Sequence, residues 1–358
     1  LALAMPVGLA AMEPLLSRAY ADGAGGAAFP LLRLLTSVLL VALPAVAMGA
    51  TFPVVARWYV PDAAAATRDA GALYAANTAG AAVGALVTGF VLLPTLGLRA
   101  TTWTGVALNL FVAVVAWRLA SAPAPGISEH ATPAPSAAPV RRAGKSGRAG
   151  AGKASPALVA RPWLAALAMA TSGFLSLGLQ IVWSRLLAQV LGPTTYAFSL
   201  VVAIFIVGLA IGALAGRRLA VRARHPVSGL SAAIGLAVLF AAAAVWTVDD
   251  GLRAMAAVVS APDETFESVL LRQMLLVTAW LLPLAVALGC AFPFAIRTGT
   301  GNDDSLGADL GLIYAFNTIG AIAGALAAGF VIIPALGLHG SLQGLGVGAA
   351  VAALAVLV

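Results

Sequence analysis

The sequence predicts an all-α polytopic membrane protein made of two parallel six-helix repeats, the first truncated to about three and a half spans. Three observations predict this. Hydrophobic residues make up 61% of the 358 and charged residues only 9%, against roughly 25% charged in a typical soluble domain. Apolar runs long enough to cross about 30 Å of hydrocarbon recur along the chain. One stretch is also written twice: LYAANTAGAAVGALVTGFVLLPTLGL from Leu73 returns as IYAFNTIGAIAGALAAGFVIIPALGL from Ile313.

In chain order, the opening LALAMPVGLA is already apolar, with no charged n-region before it and no convincing cleavage site after it. It reads as the end of a membrane helix and not as a signal peptide. Whole spans follow over about 34–57, 71–95 and 100–119, and 1–119 is read as the C-terminal part of the first repeat. Residues 120–161 are dominated by Pro, Ala, Gly and Ser, which cannot bury a core, so a disordered linker is expected there. Six more spans, over about 163–190, 194–216, 227–247, 270–296, 311–334 and 338–358, make 162–358 the second repeat. The chain stops inside an apolar run at Val358, so an internal piece of a longer polypeptide is expected.

In the linker Arg141, Arg142, Lys145, Arg148, Lys153 and Arg161 face a single acid, Glu129. A basic tract beside membrane spans is an orientation signal and a contact for anionic lipid, and no nucleic-acid partner is expected. With the linker in the cytoplasm, alternation puts 14 of the 20 Lys and Arg on that side, leaving Arg18, Arg33, Arg99, Arg185, Arg253 and Arg272 opposite. The acid-rich VDDGLRAMAAVVSAPDETFES falls on the far side, and the C-terminal end falls inside.

At a shift of 240, residues 71–98 match 311–338 at 17 of 28 positions without a gap. The same shift aligns MGATFPVVAR (Met48–Arg57) with LGCAFPFAIR (Leu288–Arg297), and a shift of 239 pairs Arg33 with Arg272 and Pro44 with Pro283. Shared hydrophobicity alone does not place Asn, Thr, Gly and Pro in register, so the pattern is an internal duplication. Equivalent points lie six spans apart, an even number, which gives both copies the same orientation. Extending the first copy backward calls for roughly 70 residues before Leu1, hence twelve spans in the parent.

The second copy opens with SGFLSLGLQIVWSRLLAQVLGPTTYAFSLVVAIFIVGLAIGALAGRRLA (Ser172–Ala220). Through Ser172-Gly173-Phe174, Trp183 with Arg185-Leu186-Leu187, Tyr196-Ala197-Phe198-Ser199 and the repeated Asn-Thr segments, the chain resembles the membrane region of the fused major-facilitator-like/spermidine synthase family of bacteria. The resemblance implies a multi-pass protein of the bacterial inner membrane. It also implies a cytosolic aminopropyltransferase-like domain after the membrane region, which moves an aminopropyl group from decarboxylated S-adenosylmethionine to putrescine. No catalytic residue or cofactor site of that domain is read within these 358 residues. Gln180 stands where similar sequences usually carry Glu.

Candidate substrate-facing residues are Tyr74, Asn77 and Thr78 with Tyr314, Asn317 and Thr318, joined by Gln180 and Arg185. Their i, i+3, i+4 spacing places each triplet on one helix face, and polar groups in hydrocarbon need partners or a cavity. Interhelical hydrogen bonding is the competing reading of that face. Gly80, Gly84 and Gly89, like Gly320, Gly324 and Gly329, form ridges on which helices pack closely. Gly49 with Pro53 and Gly289 with Pro293 mark candidate kinks, since each proline leaves the carbonyl four residues back without its donor. Pro94 and Pro334 are expected to end their helices.

Cys290 excludes an internal disulfide and reads as a packing residue, and no metal site is assigned to the scattered His130, His225 and His339. All thirteen Asp and Glu fall in loops or at span edges, so no intramembrane carboxylate for proton or cation coupling is read. A carrier for a small amine or metabolite, a membrane anchor for a polyamine-synthesising domain, and a structural scaffold are the three functional readings left open.

Overall fold

A computed structural model describes residues 3–21, 28–121, 160–192, 194–260, 265–301 and 303–357. The expected linker lies almost entirely outside them. All the described secondary structure is helical: α1 (Ala4–Ala21), α2 (Ala28–Tyr59), α3 (Ala63–Val87), α4 (Leu93–Ser121), α5 (Pro162–Leu191), α6 (Thr195–Arg222), α7 (Pro226–Val259), α8 (Phe266–Gly299), α9 (Leu306–Ala327) and α10 (Ile333–Leu357). Six stretches of the described residues are long and apolar enough to cross a membrane, so the chain is an all-α, multi-pass membrane protein.

Two of those stretches, Ala63–Leu119 with 57 residues and Leu306–Ala355 with 50, are too long for one crossing. At about 1.5 Å per residue each would measure more than twice the hydrocarbon thickness. Each breaks at a glycine: Gly97 has φ 71° and ψ 174°, and Gly337 has φ 68° and ψ 179°. That region of backbone space is open essentially to glycine alone. The helices therefore end here and not at Pro94 and Pro334, where the sequence had placed the stops.

What the prolines accompany is a widened turn. Residues Thr88–Leu92 and Ala328–Ile332 are π-helical, and the Leu93 and Ile333 N–H groups bond five residues back, to Thr88 and Ala328. A proline in a regular α-helix would clash with the carbonyl four residues back and leave it unbonded. One wider turn relieves both problems.

Several helices outrun their predicted spans because loss of hydrophobicity does not by itself end a helix. The 227–247 span continues to Val259 through Asp249, Asp250 and Arg253, with an exposed Asp250–Arg253 pair at 3.1 Å. Likewise α1 continues past residue 12 through Glu13, Pro14 and Arg18. Starts are better marked: Asp62, Thr194 and Thr265 each accept a backbone N–H of the first turn of α3, α6 and α8.

The packing centres on α8, which lies against α6, α7, α5 and α3, while α5 also lies along α9. Trp183, Phe205, Phe292, Leu281 and Leu284 are among its fully buried side chains. Small residues set the separations. Gly212 and Gly216 of α6 meet the α8 backbone at Val286 and Cys290, and Gly208 faces Ala285. Such approaches give membrane helices their dispersion contact where burial from lipid offers no hydrophobic drive.

Candidate functional site

The residues that best define a site come from α2, α3, α8 and α9, and the 240-residue shift relates them in pairs. Phe52 and Phe292 precede the aligned prolines, and Tyr74 and Tyr314 open the repeated motif. Their rings form one cluster. Tyr314 stacks on Phe52 with centroids 4.7 Å apart and planes at 19°, and Tyr74 stacks on Phe292 at 4.0 Å and 21°. Phe52 meets its own copy's Tyr74 edge-on at 6.2 Å and 88°, and Phe292 meets Tyr314 at 6.4 Å and 85°. Phe52 and Phe292 meet edge-on in the middle, at 5.7 Å and 72°. Each tyrosine thus stacks on the other copy's phenylalanine, in a near-twofold arrangement.

The cluster sits between the halves, toward the end that bears the linker. Phe52 is seven residues from the end of α2 and Phe292 seven from the end of α8, or roughly 10 Å at 1.5 Å per residue. Contacts at that end also join the halves. Ala63 N–H donates to Asp303 Oδ1 at 2.7 Å, capping α3 from the α8–α9 loop, and Arg57 lies against Gly307. Nearby, Arg68 and Asp69 pair at 2.7 Å, and Arg217 lies over Gly71.

The two Tyr-Asn-Thr triplets are not placed alike. The Thr78 hydroxyl donates to the Tyr74 carbonyl at 2.7 Å and the Thr318 hydroxyl to the Tyr314 carbonyl at 3.0 Å. Both hydroxyls are therefore spent within their own helix and not between helices. Thr78 is buried and Thr318 exposed, whereas Asn77 is exposed and Asn317 half-buried, with the Asn317 carbonyl facing Gly173 of α5. Among the described residues neither Asn amide makes a hydrogen bond. A cavity of about 350 Å³ opens between α2 and α9 and includes Gly49, Pro53, Tyr314 and Thr318 in its lining.

The other candidates lie away from the ring cluster. Gln180 is half-buried just past the middle of α5, and Arg185 is exposed, six residues from its far end. Gly289 packs on α6 at Leu209, whereas Gly49 has open space around it. Neither α2 nor α8 leaves helical geometry at Pro53 or Pro293. Sequence reasoning did not single out Phe52 and Phe292, although the shift that aligned Pro53 with Pro293 also aligned the two rings before them.

Chemically, the site offers four aromatic rings and two tyrosine hydroxyls. No group of three metal-ligating side chains occurs among the described residues. No family model matches the chain, and no curated protein or solved structure matches it either.

Proposed function

We propose that this chain is the membrane domain of a carrier for a small amine or related metabolite, built as two parallel six-helix repeats that rock against each other. The crosswise ring cluster carries this reading. A packing element serving one half would satisfy its aromatic rings within that half, yet here each tyrosine uses the phenylalanine of the other. Rocking the halves apart at the linker end would unstack both pairs in one step, because they are twofold mates. Each stacked pair contributes roughly 0.5–1.5 kcal/mol beyond its buried area. Two such pairs hold one end closed and still open within a transport cycle.

An ammonium group suits these surroundings. It is attracted to the face of a tyrosine or phenylalanine ring, most strongly where water is excluded. Asn77 adds an uncharged acceptor that costs less to keep in the membrane than a carboxylate. The resemblance to the fused major-facilitator-like/spermidine synthase family supports the same substrate class. It also supports a cytosolic aminopropyltransferase-like domain as partner, with the linker and C-terminal end on the cytoplasmic face of a bacterial inner membrane and the linker on anionic lipid.

The test is uptake of labelled putrescine or spermidine into proteoliposomes holding the whole polypeptide. Uptake above empty liposomes is expected. The Asn77→Ala/Asn317→Ala double variant should lower it about tenfold, the scale of losing one or two hydrogen bonds. Uptake no greater than that of empty liposomes overturns the carrier reading and leaves the anchor.

A further inference from the structure

In a twofold arrangement a residue touches its own equivalent only where the axis passes between them. Phe52 and Phe292 do so, edge-on at 5.7 Å. Ala63 and Asp303, also 240 residues apart, do so again nearer the linker end, where the Ala63 N–H donates to Asp303 Oδ1 at 2.7 Å. Two rings can face each other across an axis, but two carboxylates there would repel. The copies differ at this point: the first reads Asp62-Ala63 and the second Asn302-Asp303. Ala63 leaves its N–H open, and Asp303 supplies the acceptor. A symmetric pair of rings is thus followed by a one-way bond, from the first half to the second.

The start of α3 receives two carboxylates. Asp62, of its own half, accepts from Ala65 N–H at 2.7 Å, and Asp303, of the other half, accepts from Ala63. The start of α9 is treated differently. Ser305, its N-cap, makes no side-chain cap bond, and its hydroxyl goes to Asp309 at 2.7 Å. Asp303 is therefore spent on the other half's helix and not on the helix that follows it. The first N–H groups of a helix lack partners within it and carry partial positive charge, so a carboxylate there is well placed. Asp303 is exposed, so water replaces the bond when it opens. Its net worth is small enough for repeated opening.

Resting on the reading of two halves that rock, we infer that Asp303 is a latch between them: its carboxylate, docked on the first N–H of α3, holds the linker end shut in front of the ring cluster. Asp62 caps the same helix from within one half and takes no part in the latch. Asparagine at 303 keeps an acceptor and keeps the latch, since Asn and Asp cap helices about equally well. Alanine at 303 removes it.

The experiment reads how often the linker end opens. Ala70 is fully buried on α3, the helix that packs against α6 and α8 of the other half. In a Cys290→Ala background, Ala70→Cys reacts with a maleimide in proportion to the open fraction, in purified protein held in nanodiscs. Asp303→Ala should raise the labelling rate about fivefold, the scale of losing a helix cap, while Asp303→Asn and Asp62→Ala should each change it by less than about twofold. No rise with Asp303→Ala, or an equal rise with Asp62→Ala, overturns the latch. Labelling needs no substrate, so the two readings fail separately. A fivefold rise without any uptake keeps the latch and overturns the carrier, whereas normal uptake with unchanged labelling overturns the latch alone.

Discussion

At Gly320 the α9 backbone touches the carbonyl of Ala170, and one added carbon would have to displace main chain and not a pliable side chain. Separating two packed helices costs more than rotating a rotamer. Gly320→Leu should therefore destabilise residues 1–358 by at least about 1–3 kcal/mol, read as a fall in melting temperature in detergent. A melting temperature equal to that of the unmutated chain would show that α5 and α9 do not meet here. The sequence made the ridge visible, because glycine at four-residue spacing has few other uses in a membrane helix. It did not reveal which copy of the ridge would be filled. That depends on a third helix, whose contact leaves no mark in the motif itself. The crosswise stacking of Tyr74 on Phe292 was hidden for the same reason: alignment pairs a residue with its equivalent, whereas the fold pairs it with its equivalent's neighbour.

Helices were legible at the level of the element, and their ends were not. Hydropathy locates every apolar stretch, but it counts side chains and is blind to which carbonyl each N–H reaches. It could not distinguish a helix that stops at Pro94 from one that widens by a residue and stops at Gly97. The widened turn recurs at Pro334 with the break at Gly337, so both copies of the motif write the same backbone. Alanine at either glycine would have to hold φ near +70°, which costs of order 1–3 kcal/mol. Gly97→Ala and Gly337→Ala should each lower the melting temperature, and the double variant should lower it by close to the sum, since the two sites lie on different helix pairs. If both single variants melt unchanged, the turns are not built as described.

For the whole molecule, the arrangement of charge follows from which helix ends meet. Arg161 N–H donates to the Thr298 carbonyl at 2.8 Å, Arg217 lies over Gly71, and Arg57 lies beside Gly307. These contacts gather the ends of α2, α6 and α8 with the starts of α3, α5 and α9, the ends that the positive-inside count placed together. The far end carries Asp249, Asp250 and Glu267. Alternation had thus been readable from arginines alone, since each helix reverses the chain and charged residues resist crossing hydrocarbon. The choice of face is the remaining step, and it can be read with cysteines at exposed positions in a Cys290→Ala background. A membrane-impermeant maleimide applied to intact cells should label Asp250→Cys at once and Arg218→Cys only after permeabilisation. The opposite order would invert the protein in the membrane. It would also place the ring cluster of Phe52, Tyr74, Phe292 and Tyr314 toward the outer face.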